Sequence, residues 1–214
     1  IVFFRLGDFY ETFDADAELV ARELDIVLTG RNVAKGRRVP MAGIPYHALE
    51  RYLAELIAKG HHVAICEQVG SEAVKGLFAR EVVRVVTPGT IVEPGLLPAE
   101  RNNYLAALAV DDGRAGLAHV DITTGEFAVT TIHSTDVWAG VRHELMRLRP
   151  AELLLPDTLN PALNGVPSAL TRLAVWKFEN ARARDVLLDH FKVASLAGFG
   201  IDGSPLAIAA CGAI

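Results

Sequence analysis

The sequence has little cysteine and no long hydrophobic run. Two cysteines, Cys66 and Cys211, stand far apart in 214 residues. They cannot form a disulfide framework, and buried free thiols are typical of a reducing cytosol. No uncharged apolar run approaches ~18 residues, so no membrane-spanning helix is expected. The start lacks Met and carries charges at Arg5 and Asp8, unlike a signal peptide. We therefore expect the chain to be a piece of a longer protein.

Basic residues are also few. The chain has 21 Lys and Arg against 26 Asp and Glu, and its net charge is −5. Nucleic-acid-binding domains usually have a basic face, so bulk charge counts against that class, and any such contact must come from a local cluster. With 51% hydrophobic and 22% charged residues, the chain is typical of globular rather than disordered proteins. Its length fits one large domain or two small ones.

Most motifs that carry chemistry are missing. The sequence has no P-loop and no GxGxxG, GxSxG or HExxH string. His61 and His62 are adjacent, so on a strand they would point to opposite faces and could not share a metal. Nothing near Cys66 marks an activated thiolate. We expect no catalytic residue, metal ligand or cofactor site in this chain.

The first half alternates strand and helix patterns. The residues of the predicted helix 8–25 that face the core recur every three or four positions. A polar stretch with two glycines, 30–38, is predicted to be a loop, and a turn is expected at Gly43-Ile44-Pro45. The other predicted elements are strands 1–6, 26–29, 62–69 and 80–86 and a helix at 47–59.

The second half follows a stretch rich in proline and glycine, 87–103, which has no clear period. It opens with three runs that are either rich in β-branched residues or alternating, and they predict an antiparallel meander. The runs are 104–110, 116–123 and 126–132, followed by helix 135–148, strands 152–156 and 173–178, helix 179–191 and a helix from Pro205 that stops at Ile214 without a cap. This order predicts a ribonuclease-H-like α/β domain. We therefore predict α/β domains at 1–90 and 104–214, the second incomplete at its C-terminal end, joined by a linker at 91–103.

The most specific local feature is Gly7-Asp8-Phe9-Tyr10-Glu11, at the junction of the first predicted strand and helix. Asp8 has the residue type of an N-cap, and Glu11 three positions later would complete a capping-box-like pair. Phe9 is in phase with the apolar stripe. The pattern by itself favours capping; the alternative is a corner that projects an aromatic ring and a carboxylate away from the molecule.

A local basic cluster follows. Arg31, Lys35, Arg37 and Arg38 place four cations in eight residues without an acid. Such a cluster is either a solvated turn or a set of phosphate contacts, which position a duplex without reading its sequence. Tyr46 and His47, after the expected turn, either begin a helix or shape a groove.

Several strings resemble the MutS family of bacterial DNA mismatch-recognition proteins in letters, order and spacing. They are GDFYE (7–11), VPMAGIPYHALERYL (39–53), AICEQVG (64–70) and VVRVVTPGT (82–90), with weaker similarity at 102–109, 119–127 and 196–201. The resemblance covers essentially the whole chain. It implies a mismatch-binding domain followed by a connector domain. The family's clamp, lever, ATPase and dimerisation regions lie outside this chain, and with them the ATP, Mg²⁺ and homodimer contacts of the complete protein.

The resemblance also implies roles for residues. The family's Phe-X-Glu motif falls on Phe9 and Glu11: the ring enters the minor groove and stacks on a mispaired base, and the carboxyl group hydrogen-bonds that base. Inserting an aromatic wedge costs a few kcal/mol of unstacking. A mispaired site deforms more easily, so selectivity comes from deformability. Near phosphates, Glu11 either donates a hydrogen bond as a neutral acid or repels ordinary pairs.

The implied partners are mismatched duplex DNA and a MutL-type protein that signals through the connector, in the cytoplasm at the nucleoid. We expect this chain alone to be monomeric and not to be an enzyme. The alternatives are a protein-interaction module or a metal-dependent nuclease. A nuclease of ribonuclease-H-like fold would use clustered carboxylates, for which Asp111, Glu144 and Asp157 occur in a suitable order.

Overall fold

The computed structural model describes residues 1–32, 36–74, 77–93, 95–97, 101–161, 163, 165–166 and 168–214, with only the backbone described at 71–74 and 77. The chain divides into two compact units, Ile1–Leu97 and Pro98–Ile214. Each contains a sheet and helices, which confirms the predicted α/β class. In the described part of the chain, no helix has the length and hydropathy needed to cross a bilayer.

The first unit is built on a six-stranded mixed sheet with the strand order β3-β4-β2-β1-β5-β6. The strands are β1 Val2–Leu6, β2 Phe9–Phe13, β3 Thr29–Asn32, β4 Arg38–Pro45, β5 Val63–Val74 and β6 Leu77–Val86. Neighbouring strands are antiparallel except β1 and β5, which are parallel. The helices are α1 Asp14–Leu24 and α2 Leu49–Ala58, and a single 3-10 turn at Tyr46–Ala48 precedes α2.

The two helices of the first unit pack on one face of this sheet. The core joins Phe3, Tyr10 and Ile44 of the strands to Val20 of α1 and Leu53 of α2. Side chains alternate across a strand, so the residues between these positions lie on the opposite face of the sheet. That face carries Phe4, Phe9, Glu11, Phe13 and Gly43, which are neighbours in the register of β1, β2 and β4.

The predicted helix over 8–25 is wrong in its first turn and a half. Residues 9–13 form β2, and α1 begins at Asp14. The N-cap of α1 is Phe13, whose side chain makes no capping hydrogen bond, so the expected capping box of Asp8 and Glu11 is absent from this helix start. The apolar positions in 9–13 satisfy both a helical and a strand period, and pairing with β1 and β4 decided between them.

Three further expectations for the first unit are corrected. Residues 30–32 and 38, predicted to lie in a loop, belong to the paired strands β3 and β4, and β3 begins at Thr29 rather than ending there. The expected turn at 43–45 is the end of strand β4. Glycine and proline within β4 had suggested a turn, but Gly43 lies opposite Glu11 of β2 in a regular antiparallel pairing.

The second unit has a five-stranded sheet with the order β11-β10-β7-β8-β9. Its strands are β7 Tyr104–Asp111, β8 Arg114–Asp121, β9 Glu126–His133, β10 Glu152–Pro156 and β11 Ala169–Leu173. The meander β7-β8-β9 is antiparallel, and β10 and β11 are parallel to β7. The predicted ribonuclease-H-like topology is confirmed.

Helices cover both faces of the second sheet. They are α3 Val137–Leu148 on one face and α4 Asn180–Phe191 and α5 Pro205–Ala213 on the other. The strand predicted at 173–178 is wrong, because β11 ends at Leu173 and a 3-10 turn follows at Val175–Phe178. Close packing of α5 explains Gly116 of β8, where a Cβ would lie 2.3 Å from the carbonyl oxygen of Leu206.

Candidate nucleic-acid interface

A two-residue turn of Gly7 and Asp8 joins β1 to β2 and presents Phe9. Leu6 and Phe9 are paired across the turn. Gly7 has a φ of 61°, and glycine at the first central position is the signature of a type II′ hairpin turn. The turn therefore places Phe9 at the first position of β2, at the end of the hairpin.

The alternation of β2 separates a buried face from an accessible one. Tyr10 is 7% exposed and Thr12 is fully buried, whereas Phe9 is 47% exposed. Glu11, two residues after Phe9, lies on the same face of the strand, and such neighbours are about 7 Å apart. The aromatic ring and the carboxylate thus lie side by side on the sheet face opposite the helices.

The Glu11 carboxylate has a partner that the sequence pattern did not indicate. Its Oε2 accepts a hydrogen bond from the Arg31 guanidinium at 3.0 Å, and the two form an ion pair. Arg31 belongs to β3 and is separated from β2 by the intervening strand β4. Arg31 pairs with Val39 in the sheet register, which puts it on the face that carries Glu11.

The three described cations of the predicted basic cluster, Arg31, Arg37 and Arg38, do not lie together in one loop. Arg37 lies 3.6 Å from an oxygen of Asp14 at the start of α1. Arg38 is on the opposite face from Arg31, where its side chain crosses Gly30 so closely that a Cβ there would meet Arg38 Nε at 2.3 Å. Lys35 lies outside the described residues. The cluster contains no acid in the sequence, but the fold brings Glu11 to Arg31 and Asp14 to Arg37.

Arg5 is a site residue that the sequence reasoning missed. Its guanidinium lies 4.1 Å from the ring centroid of Tyr46 and 5.5 Å from that of Tyr10. Its Nε donates a hydrogen bond to the Gly7 carbonyl oxygen. A single cation within an otherwise apolar strand, IVFFRL, was the available signal.

Tyr46 and His47 lie on the 3-10 turn after β4, both exposed. Their rings meet edge to face at 5.7 Å. The Tyr46 amide donates to the carbonyl oxygen of Asp8 at 2.9 Å, so Tyr46 contacts the turn that carries Phe9. Burial and a hydrogen bond to Glu67 raise the pKa of the neighbouring Tyr10 above its usual value.

Two of the three carboxylates of the nuclease alternative have a local partner. Asp111 is exposed at the end of β7. Glu144 accepts from Arg147 at 2.9 Å, and Asp157 accepts from the Val175 amide at 3.2 Å. Among the residues that the structure describes, no group of three or more His, Cys, Asp or Glu side chains could hold a metal ion. The geometry therefore gives this alternative no support.

The comparisons with known proteins match both units. Residues 1–94 match the family model for MutS domain I, and residues 103–214 match that for MutS domain II. The chain is 50% identical over 218 residues to the DNA mismatch repair protein MutS of Dehalococcoides mccartyi and 51% identical over 222 residues to that of Symbiobacterium thermophilum. Identity to the Roseiflexus castenholzii protein of the same name is 41% over 284 residues. All three alignments cover the whole of this chain, which spans about a quarter of the length of these relatives.

Proposed function

The chain belongs to the MutS family, and from this premise we propose that its first unit recognises mismatched double-stranded DNA through Phe9 and Glu11. A role in mismatch repair follows from the family itself. The observation that carries the finer proposal is the exposed ring of Phe9 at the tip of a hairpin, beside Glu11 on the same face.

Phe9 acts as a wedge. An aromatic side chain that is half exposed in the free protein can leave solvent for a base stack without removing anything from the core. Insertion between base steps costs a few kcal/mol of unstacking and kinks the duplex. A mispaired or unpaired site is already weakly stacked, so the same insertion costs less there. Selectivity then arises from the deformability of the DNA rather than from a base code.

Glu11 discriminates beside the wedge. In the free protein its charge is balanced by Arg31 at 3.0 Å. Near phosphates an uncompensated carboxylate is repelled, which penalises binding wherever it gains no hydrogen bond from a base. A mispaired base offers such a hydrogen bond. Glu11 thereby favours mismatches over ordinary pairs.

Arg31, Lys35, Arg37 and Arg38 position the backbone. Phosphate contacts fix the register of a protein on a duplex and carry no sequence information. They supply a local positive surface in a chain whose net charge is −5. Tyr46 and His47, next to the Phe9 turn, border the groove.

The second unit acts as the connector and binds a MutL-type protein. ATP, Mg²⁺ and the homodimer contacts belong to the remaining length of the family protein, and this chain by itself is a monomer without enzymatic activity. The complete protein works at the nucleoid in the cytoplasm. Binding between the purified second unit, 98–214, and the MutL-type protein of a relative's organism tests the connector role; absence of binding by calorimetry would contradict it.

The proposal is tested by comparing mismatched and matched duplexes of otherwise identical sequence at two salt concentrations. Two proteins are used: this chain, and a full-length chimera in which it replaces the matching quarter of the Dehalococcoides mccartyi relative. We expect the chimera to prefer the mismatched duplex and its Phe9→Ala variant to lose that preference. A chimera that binds both duplexes equally would contradict the proposal.

A further inference from the structure

Both residues of the turn before Phe9 accept hydrogen bonds, one from the Arg5 side chain and one from the Tyr46 backbone. The Gly7 carbonyl oxygen accepts from Arg5 Nε, and the Asp8 carbonyl oxygen accepts from the Tyr46 amide. The Arg5 guanidinium in turn lies over the Tyr46 ring at 4.1 Å. Arg5 and Tyr46 therefore each bond one residue of the turn, and the two also contact each other.

Arg5 also contacts a residue of the core, Tyr10. It pairs with Tyr10 across the β1–β2 ladder, and its guanidinium is 5.5 Å from the Tyr10 ring. Tyr10 is 7% exposed and donates its hydroxyl hydrogen to Glu67 of β5. Through Tyr10 the exposed turn is connected to a buried part of the sheet.

We propose that Arg5 and Tyr46 are positioning residues that hold the Gly7-Asp8 turn rigid so that the Phe9 ring is presented in one orientation. The inference rests on the proposed function of Phe9. A binding group must be held within about 0.5 Å and 10–20° of its productive geometry by its supporting contacts. A turn that moves freely would spend part of the binding free energy on ordering the wedge.

The planar shape of arginine is essential to this role. The guanidinium can stack on an aromatic ring while its edge donates to a carbonyl oxygen. Lysine has the same charge but no planar fork. Arg5→Lys therefore separates positioning from a direct phosphate contact, which lysine would retain.

The experiment uses the full-length chimera with Arg5→Lys, Arg5→Met, Tyr46→Ala and Tyr46→Phe. Loss of one cation–π contact corresponds to about a two- to thirtyfold change in an equilibrium constant. We expect both Arg5 variants and Tyr46→Ala to lose the preference for mismatched over matched duplex by that factor. Both Tyr46 variants keep the backbone amide that donates to Asp8, but only Tyr46→Phe keeps the ring under Arg5 and should keep the preference.

A second readout detects the turn directly. In the Arg5 variants, hydrogen exchange of the backbone amides of 6–10 should rise, while that of 63–66 in β5 should stay unchanged. General destabilisation of the unit would raise both. Arg51→Met is the matched control, because Arg51 also lies over a tyrosine ring, Tyr52 at 5.5 Å, but on α2. It should change neither the mismatch preference nor the exchange of the turn.

The outcomes are separable. If Arg5→Lys restores full preference while Arg5→Met only weakens binding and flattens its salt dependence, Arg5 is a phosphate contact and the inference is overturned. Unchanged exchange at 6–10 in both Arg5 variants would also overturn it. If the unmodified chimera shows no preference at all, the proposed function of Phe9 fails, and the exchange data still decide whether Arg5 holds the turn.

Discussion

The carboxylate of Glu11 and the guanidinium of Arg31 are 3.0 Å apart although twenty positions separate them in the chain. The side chain of Arg31 is 51% exposed and that of Glu11 is 18% exposed. An ion pair with one solvent-exposed member contributes about 0.2–1 kcal/mol to stability. The ion pair therefore contributes little to stability. It bears on DNA binding, because Arg31 can pair either with Glu11 or with a phosphate.

These two alternative partners of Arg31 predict a change in the salt dependence of DNA binding. Glu11→Gln releases Arg31, so binding of matched duplex by the full-length chimera should strengthen, and the slope of log K against log salt should steepen by about 0.9 for the one added phosphate contact. The measurement is a salt titration by fluorescence anisotropy.

The control is the same Glu11 change in an Arg31→Gln background. Repulsion is still relieved there, so binding should strengthen, but the slope should stay constant. Equal steepening in both backgrounds would show that Arg31 is not the group released.

The same substitution should have different effects at Phe9 and at Phe3. Phe9 is 47% exposed and Phe3 is fully buried. Phe9→Ala should change the free energy of unfolding of the first unit within about ±0.5 kcal/mol and abolish mismatch preference. Phe3→Ala should cost about 3–5 kcal/mol. Unfolding of this unit in denaturant is measured by the alkylation of Cys66, which is buried in it. If the Phe9→Ala protein unfolds as easily as the Phe3→Ala protein, Phe9 is a core residue and not an exposed wedge.

Arg37 and Arg38 should contribute equally to the binding of mismatched and matched duplexes. Replacing Arg37 and Arg38 with Gln should weaken binding to mismatched and matched duplexes by the same factor and flatten the salt slope by roughly 0.9 per lost phosphate contact. The control is Arg51→Gln on α2, compared with the single changes Arg37→Gln and Arg38→Gln, because each of these removes one positive charge. A shift in mismatch preference at constant slope would mean that these residues read the structure of the mismatch.

His119 makes the second unit sensitive to mild acid. Burial lowers the pKa of His119 below its usual 6.5, with Arg147 acting in the same direction and Glu126, at 3.7 Å, and Glu144 opposing. The unfolded chain therefore binds a proton more readily than the folded one, so the stability present above pH 6.5 is lost as pH falls through the lowered pKa.

Both tryptophans, Trp138 and Trp176, are in the second unit, so their fluorescence reports its melting. Between pH 7.5 and 5.5 the melting temperature should fall, and His119→Gln should reduce the fall. His133→Gln, at an exposed position of β9, should leave the fall unchanged. An equal decrease in all three proteins would assign the effect to other groups.

The two units should unfold independently. Burial raises the pKa of Cys211 to about 12, so its thiol, like the buried Cys66, should react with iodoacetamide at pH 8 only after its unit opens. In a urea titration, mass spectrometry should show alkylation of Cys66 at a midpoint different from that of Cys211, and the Cys211 midpoint should match the tryptophan transition. Coincident midpoints for all three signals would contradict independent unfolding.

The sequence alone determined the elements whose periodicity is unambiguous. Helices α2 and α3 follow from a 3.6-residue period over a sufficient length, and the meander β7-β8-β9 follows from three strand-like runs separated by turn residues. The short apolar run of β10 and the weaker signals of α4 and α5 complete the order that predicted the ribonuclease-H-like topology. Four strings in register were also sufficient to identify the family, because they match in order and spacing as well as in residue type.

Only the tertiary structure decided the geometry around Phe9. Over 9–13 the apolar residues fit both a helix and a strand, and the segment is a strand because β1 and β4 pair with it on both sides. The contacts of Arg31 with Glu11 and of Arg5 with Tyr46 join residues 20 and 41 positions apart. Such contacts depend on strand order and register, which local propensity does not encode, because hydrogen bonds between strands form with whatever segment the fold brings alongside.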